Sequence, residues 1–255
     1  MIVVVEENHS YSQVIGNQSM PYLNGLASSY GLATQYYGDV HPSIGNYLML
    51  TTGIPETIDD AFTGIITDDN VVRELVNAGK TWHSYAEDLP SVGYVGGDVN
   101  QYLRHHNPFT YLSDVNGTSQ ANNLVPFSQF PTDLAAGNLP DYSFVVPNAI
   151  NDAHDGTLAQ ADQWLQTNID PLVQSAFFKN NGVLIIVFDE SVLTDFSHVG
   201  GHVAMVMIGP HVKPGYQSTT LYQHQSTLRF VLSTLGVHTY PGASAIAPDM
   251  GEFFH

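Results

Sequence analysis

Short runs of apolar residues, each followed by polar ones, recur along the chain. Ile2 to Val5 is followed by Glu6-Glu7-Asn8-His9. Val183 to Phe188 is followed in the same way by Asp189-Glu190. Uninterrupted apolar runs of this length are typical of strands that are covered on both faces. Because they alternate with amphipathic stretches such as Leu158 to Ile169, we predict a doubly wound α/β fold with a mostly parallel sheet and helices on both faces.

Other elements follow from the same patterns and from the residues that break them. Pro42 and Gly53 flank a predicted helix from Ser43 to Thr52, since proline favours a helix start and glycine a helix end. Further strands are predicted at Trp82 to Tyr85, Tyr142 to Val146 and Val203 to Ile208, and further helices at Pro126 to Ala136 and Gln223 to Leu235.

The stretch from residue 88 to about 125 lacks this periodicity. It is rich in Gly, Pro, Asn and Tyr, and His105-His106-Asn107-Pro108 lies at its centre. Long spans without regular structure are usually functional loops. We therefore expect a single domain over residues 1–255, with a loop-rich lid insertion at about 88–125.

The charge balance restricts the partners of this chain. Six Lys and Arg residues against 24 Asp and Glu residues give a net charge of -18. Nucleic acid is disfavoured as a bulk ligand, because its phosphates would be repelled. An anionic substrate would need a cation to reverse the field locally. The absence of cysteine excludes thiolate zinc sites and cysteine nucleophiles.

The N-terminus and the polar composition suggest export. No apolar run is long enough to cross a bilayer, so integral membrane contact is not expected. Met1 leads directly into a strand, and the low Lys content with abundant Asn, Ser, Thr and Tyr suits an exported acidic enzyme. We expect a secreted or periplasmic location and a longer precursor that carries the signal.

A turn with one hydroxyl, His41-Pro42-Ser43, opens the helix at Ser43. Because the first N–H groups of a helix have no partner within it, this is a place to hold a phosphate. Ser43 is a candidate nucleophile there, although the same residue fits a simple N-cap.

Polar side chains at strand ends supply the other half of a candidate site. Parallel strands end on one edge, so Glu7, Asn8, Asp189 and Glu190 are expected to meet there. With the Ser43 hydroxyl they form an oxygen-rich set that suits Mg²⁺, Ca²⁺ or Mn²⁺ better than Zn²⁺. Each acidic pair alone also fits a cap or a solvated loop. A two-zinc site would need further ligands, which Asp152, His154 and His202 could supply.

Several histidines carry different expectations. His154 lies between Asp152 and Asp155 at a strand-to-helix turn, where the carboxylates can orient it. His105 and His106 fit either a functional pair or a simple turn. We interpret five other histidines as structural or surface residues: His9, His41, His224, His238 and His255.

Together these motifs resemble the phosphoesterase family, which holds bacterial acid phosphatases and phospholipase C-like enzymes within the alkaline phosphatase superfamily. The resemblance covers nearly the whole chain and implies an alkaline phosphatase-like fold, a metal-bound hydroxyl nucleophile and phosphate-ester hydrolysis. The motifs that carry it are Glu6 to Tyr11, His41 to Tyr47, His154 to Thr157, Phe188 to Glu190 and Gly200 to Val203.

By this resemblance Glu7, Asn8, Asp189 and Glu190 match metal ligands, and Ser43 matches a nucleophile that also touches the metal. His154, His105 and His106 match the histidines that bind phosphate or transfer protons, with His106 preferred for proton transfer. His202 is a weaker match for substrate binding. Asn46, one turn into the helix, is expected to contact phosphate.

The function predicted from these observations is metal-dependent hydrolysis of small phosphate monoesters through a phosphoserine intermediate. A phosphodiesterase or phospholipase C-like activity at the same site is the alternative, and an inactive binding module or a purely structural protein is a further one. A sulfatase is disfavoured because Ser43-Ile44-Gly45-Asn46 lacks the Cys/Ser-x-Pro-x-Arg context. The oligomeric state stays open.

Overall fold

Eight strands form one mixed sheet, and the apolar runs supply its middle. The computed structural model describes residues 1–255. The strands are β1 (Ile2–Glu6), β2 (Gly31–Ala33), β3 (Trp82–Ala86), β4 (Leu124–Pro126), β5 (Tyr142–Val146), β6 (Leu184–Phe188), β7 (Met205–Ile208) and β8 (Tyr216–Ser218). Their order across the sheet is β4-β3-β5-β1-β6-β7-β2-β8. The three central strands β5, β1 and β6 are buried along their whole length.

The strands run parallel except at β7, which pairs antiparallel with both β6 and β2. The β1–β6 ladder places Val3 opposite Ile185 and Glu6 opposite Phe188. The prediction of a mostly parallel doubly wound sheet is therefore confirmed. One consequence matters for function: the carboxyl ends of β1, β3, β5 and β6 lie along one edge.

Nine α-helices accompany the sheet: α1 (Tyr11–Val14), α2 (Pro21–Ser29), α3 (Ser43–Thr52), α4 (Val71–Asn77), α5 (Gln129–Ala136), α6 (Leu158–Asn168), α7 (Asp170–Gln174), α8 (Ala176–Asn181) and α9 (His224–Thr234). Helix α3 has the predicted bounds, and all ten of its residues are buried. The predicted helix from Pro126 is wrong in its first turn, because Pro126 pairs with β3 and α5 begins at Gln129. None of the helices has the length and apolar character needed to cross a bilayer.

The stretch at 88–125 contains three 3₁₀ turns: Arg104–His106, Pro108–Tyr111 and Ser119–Asn123. Its middle is part of the core, since Phe109 is buried and stacks on Trp82 with ring centroids 5.0 Å apart. The first two turns pack against α3. This packing fixes His105 and His106 beside the helix that carries Ser43, while the role as a lid stays a prediction.

Candidate active site

Five side chains from three elements meet at the carboxyl edge of the sheet. We call them the oxygen cluster: Glu7, Asn8, Ser43, Asp189 and Glu190. The Ser43 Oγ atom lies 3.0 Å from Glu7 Oε2 and 3.3 Å from Asn8 Oδ1. The Asn8 N–H donates to Asp189 Oδ1 at 3.2 Å. The structure thus brings together all five residues that the sequence predicted as metal ligands.

The local backbone explains how Asn8 reaches this position. Asn8 has a φ of +54°, in the left-handed region that asparagine adopts more readily than most residues. The chain turns there directly after β1, while the Asp189 N–H still donates to the Glu6 carbonyl and extends the ladder. The turn therefore aims Asn8 at the end of β6.

The three carboxylates of the oxygen cluster are buried without a Lys or Arg partner, since Arg73 forms the only Lys or Arg salt bridges of the chain. Burial raises the pKa of Asp189 to about 7. Burial, and then the charge of Asp189, raises the pKa of Glu190 to about 9. Burial also raises the pKa of Glu7 well above its usual value. All three can be ionised together only if positive charge lies close by.

The positions of the acceptor atoms fit a cation. Asp189 Oδ2 is buried and has no hydrogen-bond partner. The Asn8 amide oxygen faces only acceptors, and turning the amide would let its NH₂ donate to Glu7 Oε2 (3.1 Å) and Glu190 Oε1 (3.0 Å). Convergent oxygens from carboxylate, amide and hydroxyl groups are ligands that hard divalent cations prefer. The residues present therefore suit such an ion.

The histidine group, His105, His106 and His154, lies next to the oxygen cluster. Its ligand atoms lie within 4.8 Å of one another, as do those of Glu7, His106 and Asp152, and either trio could hold a metal ion. The rings of His105 and His106 are 4.5 Å apart, and those of His106 and His154 are 5.3 Å apart. Burial, helped by the neighbouring His106, lowers the pKa of His105 to about 4.

His106 links the two sets of residues. It is 1% exposed, and it stacks on Tyr47 with centroids 5.2 Å apart. Its Nδ1 lies 3.1 Å from Asp152 Oδ2, and its Nε2 lies 3.4 Å from Glu7 Oε1. Burial lowers the pKa of His106 well below its usual value. Both nitrogens face carboxylates inside the protein and His106 does not line the cavity, so proton transfer by His106 stays a prediction.

His154 occupies the accessible side of the site. Its Nδ1 lies 3.0 Å from Asp155 Oδ1, and its backbone N–H donates to Asp152 Oδ1 at 2.8 Å. Burial raises the pKa of that Asp152 carboxyl to about 8. Asp155 thus orients the His154 ring and leaves its Nε2 available to a ligand, while Asp152 holds the backbone of His154.

A cavity of about 470 Å³ opens over these residues and is lined by Asn8, Pro42, Ser43, Asp60, His154, Glu190, Ser191, Val192 and Leu193. A larger cavity of about 780 Å³ lies where β1 and β6 begin, between Met1, Phe177 and Val183. That one has Asp141 as its only acidic residue and contains no histidine. The smaller cavity is therefore the one lined by the hydroxyl, carboxylate and imidazole groups of the candidate site.

Two predicted substrate contacts are not brought to the cavity. Asn46 is fully buried; its Oδ1 accepts from the N–H groups of Asp39 (2.7 Å) and Val40 (3.2 Å), and its Nδ2 donates to the Val40 carbonyl. His202 stacks on Tyr11, with its Nε2 3.0 Å from the Thr34 carbonyl. Asn46 thus holds the turn before Ser43, and His202 packs against Tyr11 and Tyr37, so neither side chain lies on the cavity wall.

Sequence reasoning also missed two residues beside the site. His41, interpreted as structural, has its Nδ1 2.9 Å from Glu190 Oε2. Asp60 lines the cavity, and its Oδ1 accepts from the Ile44 N–H at 3.1 Å. The motif around Ser43 contains His41 and could have pointed to it, whereas Asp60 lies in a loop without a distinguishing pattern.

The fold, a mixed sheet with a hydroxyl and clustered carboxylates at its carboxyl edge, resembles that of solved proteins of the alkaline phosphatase superfamily. The fold matches a solved member from Vibrio parahaemolyticus with a TM-score of 0.68 at 14% identity, covering 99% of this chain and 71% of the other. More narrowly, the chain belongs to the Phosphoesterase family, whose model matches residues 17–238.

Named relatives agree with this family. The chain is 37% identical over 239 residues to the phosphatidylinositol-3-phosphatase of Mycobacterium tuberculosis, covering 92% of this chain and 75% of that protein. It is 30% identical over 244 residues to an acid phosphatase of Aspergillus fumigatus, covering 91% of this chain and 53% of the fungal enzyme. The chain thus spans about half the length of that fungal relative. By class it is a phosphoric ester hydrolase.

Proposed function

We propose that this enzyme hydrolyses small phosphate monoesters, with Ser43 as the nucleophile and a divalent cation in the oxygen cluster. One observation carries the proposal: Ser43 Oγ lies at the start of α3, about 3 Å from Glu7 Oε2, and faces the cavity that His154 also lines. The relatives are named as phosphatases, which favours a monoester over a diester.

Glu7, Asn8, Ser43, Asp189 and Glu190 are the residues that would hold the cation. Their oxygen-only donor set favours Mg²⁺, Ca²⁺ or Mn²⁺, and Zn²⁺ becomes an option if the adjacent imidazoles take part. When bound, the cation supplies positive charge that lowers the pKa of a hydroxyl and offsets the charge of a phosphate.

The residues of the chain then have distinct parts in the reaction. Ser43 Oγ attacks phosphorus as the bond to the leaving oxygen breaks, and the hydroxyl proton passes to Glu7 Oε2, 3.0 Å away. The N-terminal end of α3 directs its dipole at the phosphate oxygens. His154 Nε2 donates a proton to the leaving oxygen and later takes one from the water that hydrolyses the phosphoserine, while Glu7 returns its proton to Ser43 Oγ.

The test is Ser43→Ala with p-nitrophenyl phosphate as the substrate. We expect kcat/KM to fall by about a thousandfold or more, because the attacking atom is gone. Ser226→Ala is the control, since Ser226 is likewise a buried serine but does not line the cavity. Acid-quenched wild-type enzyme should carry phosphate on the peptide that contains Ser43. Unreduced activity of the Ser43 variant would refute the proposal.

The alternative substrates can be compared directly. Bis(p-nitrophenyl) phosphate reports diesterase activity, and p-nitrophenyl phosphocholine reports phospholipase C-like activity. The monoesterase proposal expects the monoester to be the best of the three substrates by kcat/KM. An inactive binding module would turn over none of them, although the assembled oxygen cluster speaks against it. Export of the protein stays a prediction from composition.

A further inference from the structure

The loop of residues 191–201, between β6 and β7, exposes apolar side chains beside the cavity. Leu193, Phe196 and Val199 have exposed fractions of 66%, 66% and 59%. They are three of the eleven large apolar side chains that the whole chain exposes. Concentrated exposed apolar surface usually marks an interaction site, whereas single exposed residues do not. We call these three residues the apolar rim.

Polar bonds hold the base of this loop. The Ser191 N–H donates to the Gly200 carbonyl at 3.0 Å, and Ser191 Oγ donates to the Asp195 carbonyl at 2.9 Å. Asp195 Oδ2 accepts from the His202 N–H at 3.2 Å. A closed loop with its own internal bonds presents its side chains in a defined arrangement. The exposure of the apolar rim is therefore a property of the folded loop.

One residue of the apolar rim, Leu193, lies on the cavity wall. Val192 and Leu193 line the same space as Ser43 and His154. The Phe196 ring lies edge-on to the His41 ring, with centroids 5.3 Å apart. His41 in turn contacts Glu190 in the oxygen cluster. Phe196 and Val199 follow Leu193 in the same loop and are exposed to solvent, so the rim lies at the mouth of the cavity.

A phosphate placed at Ser43 leaves limited directions for its ester group. The oxygen cluster and α3 close the buried side of the cavity, so the substituent must run towards the open side. Leu193 lies on that wall. Hydroxyl-rich substituents would gain nothing from an apolar surface, whereas alkyl or aryl groups would be removed from water.

We propose that the apolar rim is a subsite for an apolar substituent on the phosphate monoester. Alkyl and aryl phosphates are then better substrates than phosphates of polyhydroxylated alcohols. The assignment rests on the proposed function, because the position of the phosphate is taken from Ser43. We assign the rim to the substituent of a single substrate molecule. A bilayer is the poorer occupant, because three side chains offer it little area and a net charge of -18 repels anionic surfaces.

The test measures phosphate release from monomeric ethyl, butyl and hexyl phosphate and from glycerol phosphate. We expect kcat/KM to rise about tenfold from ethyl to hexyl, less than full burial of four methylenes would give. Leu193→Ser should remove most of this rise, and Val199→Ser should reduce it. Ile246→Ser is the matched control: Ile246 is 90% exposed but does not line the cavity, so its variant should keep the wild-type ratio.

The remaining outcomes distinguish failure of the apolar subsite from failure of the proposed function. Equal kcat/KM for all alkyl phosphates in the wild type, or an unchanged ratio in Leu193→Ser, overturns the subsite but leaves the monoesterase intact. Failure to release phosphate from any of these esters overturns both. Cosedimentation with phosphatidylcholine vesicles that is lost in Leu193→Ser would assign the rim to a bilayer and so overturn the subsite.

Discussion

The oxygen cluster and the histidine group lie side by side, but burial acts on them in opposite directions. It raises the pKa of Glu7, Asp189 and Glu190, and it lowers the pKa of His105 and His106. Both effects remove charge, because a low-polarity environment disfavours the ionised form of either group. Neither set alone therefore offers a fixed positive charge to a phosphate.

The difference between the two sets lies in their access to ligands. The oxygen cluster is built on β1, β6 and α3, and its carboxylates are almost completely buried. Within the histidine group, His154 has 30% of its side chain exposed, whereas His106 has 1%. We infer a division of labour in which the oxygen cluster holds a cation and His154 exchanges protons with the substrate.

Asp189→Asn tests the first half of this comparison and has the largest expected effect. The amide can still accept the Asn8 N–H through its oxygen but lacks the charge that would hold a cation. We expect kcat/KM to fall by about a thousandfold and divalent-cation binding to weaken at least tenfold by calorimetry. Asp162→Asn, at a buried carboxylate that accepts two N–H groups of α2, is the control. Wild-type cation affinity in Asp189→Asn would place the cation elsewhere.

His154→Gln tests the second half of the comparison, the exchange of protons by His154. We expect a smaller effect than that of Asp189→Asn, and its size should depend on the leaving group. For alkyl phosphates we expect kcat/KM, which reports formation of the phosphoserine and not its hydrolysis, to fall by about a hundredfold, because the alkoxide must be protonated as it leaves. For p-nitrophenyl phosphate the loss should be much smaller, since p-nitrophenolate leaves without a proton. Cation affinity should not change. His83→Gln, at a histidine with 28% side-chain exposure, serves as the control. Equal losses on both substrates would contradict proton donation by His154.

Asp39→Asn tests whether burial also raises the pKa of a carboxyl group outside the oxygen cluster. Burial raises the pKa of Asp39 from 3.8 to about 7, although the His224 N–H and the Gln225 side chain partly oppose this shift. Between these values the unfolded chain ionises and the folded one does not, so the free energy of unfolding should fall as pH rises from about 4 to about 7.

The Asn variant should lack that part of the pH dependence. We expect the loss of stability between pH 5 and pH 7 to be smaller in the variant by about 1–2 kcal/mol, measured by urea unfolding at both pH values. Comparing the two proteins at each pH cancels the contribution of other groups, including buried His224. Parallel pH profiles for wild type and variant would show that Asp39 ionises normally in the folded protein.

Local sequence predicted the elements that depend on local chemistry. The Tyr142–Val146 strand and the Ser43–Thr52 helix have the predicted bounds, because a mostly apolar run specifies the former and Pro42 and Gly53 delimit the latter. The antiparallel direction of β7 and the placement of β2 beyond it depend on pairing between distant segments. No local pattern encodes such pairing.

The candidate site, like the fold, was predictable from the sequence only in part. The oxygen cluster could be predicted because the polar residues follow buried strands, and parallel strands end at one edge. The structural roles of Asn46 and His202 could not, since their partners lie at the Asp39–Val40 backbone and at Thr34. A polar side chain whose partners cannot be identified from the sequence can have its hydrogen bonds satisfied by distant residues in the folded protein.

The β1–β6 ladder has a further consequence for folding. The Asn8 N–H and Asp189 Oδ1 meet across 181 residues of sequence, so the oxygen cluster does not exist until most of the chain has been wound around the sheet. Contacts of such long range form slowly, and activity would report completed folding rather than local order. A cation that binds only this assembled state would stabilise it by mass action, by about 1.4 kcal/mol for each tenfold rise in concentration above its Kd.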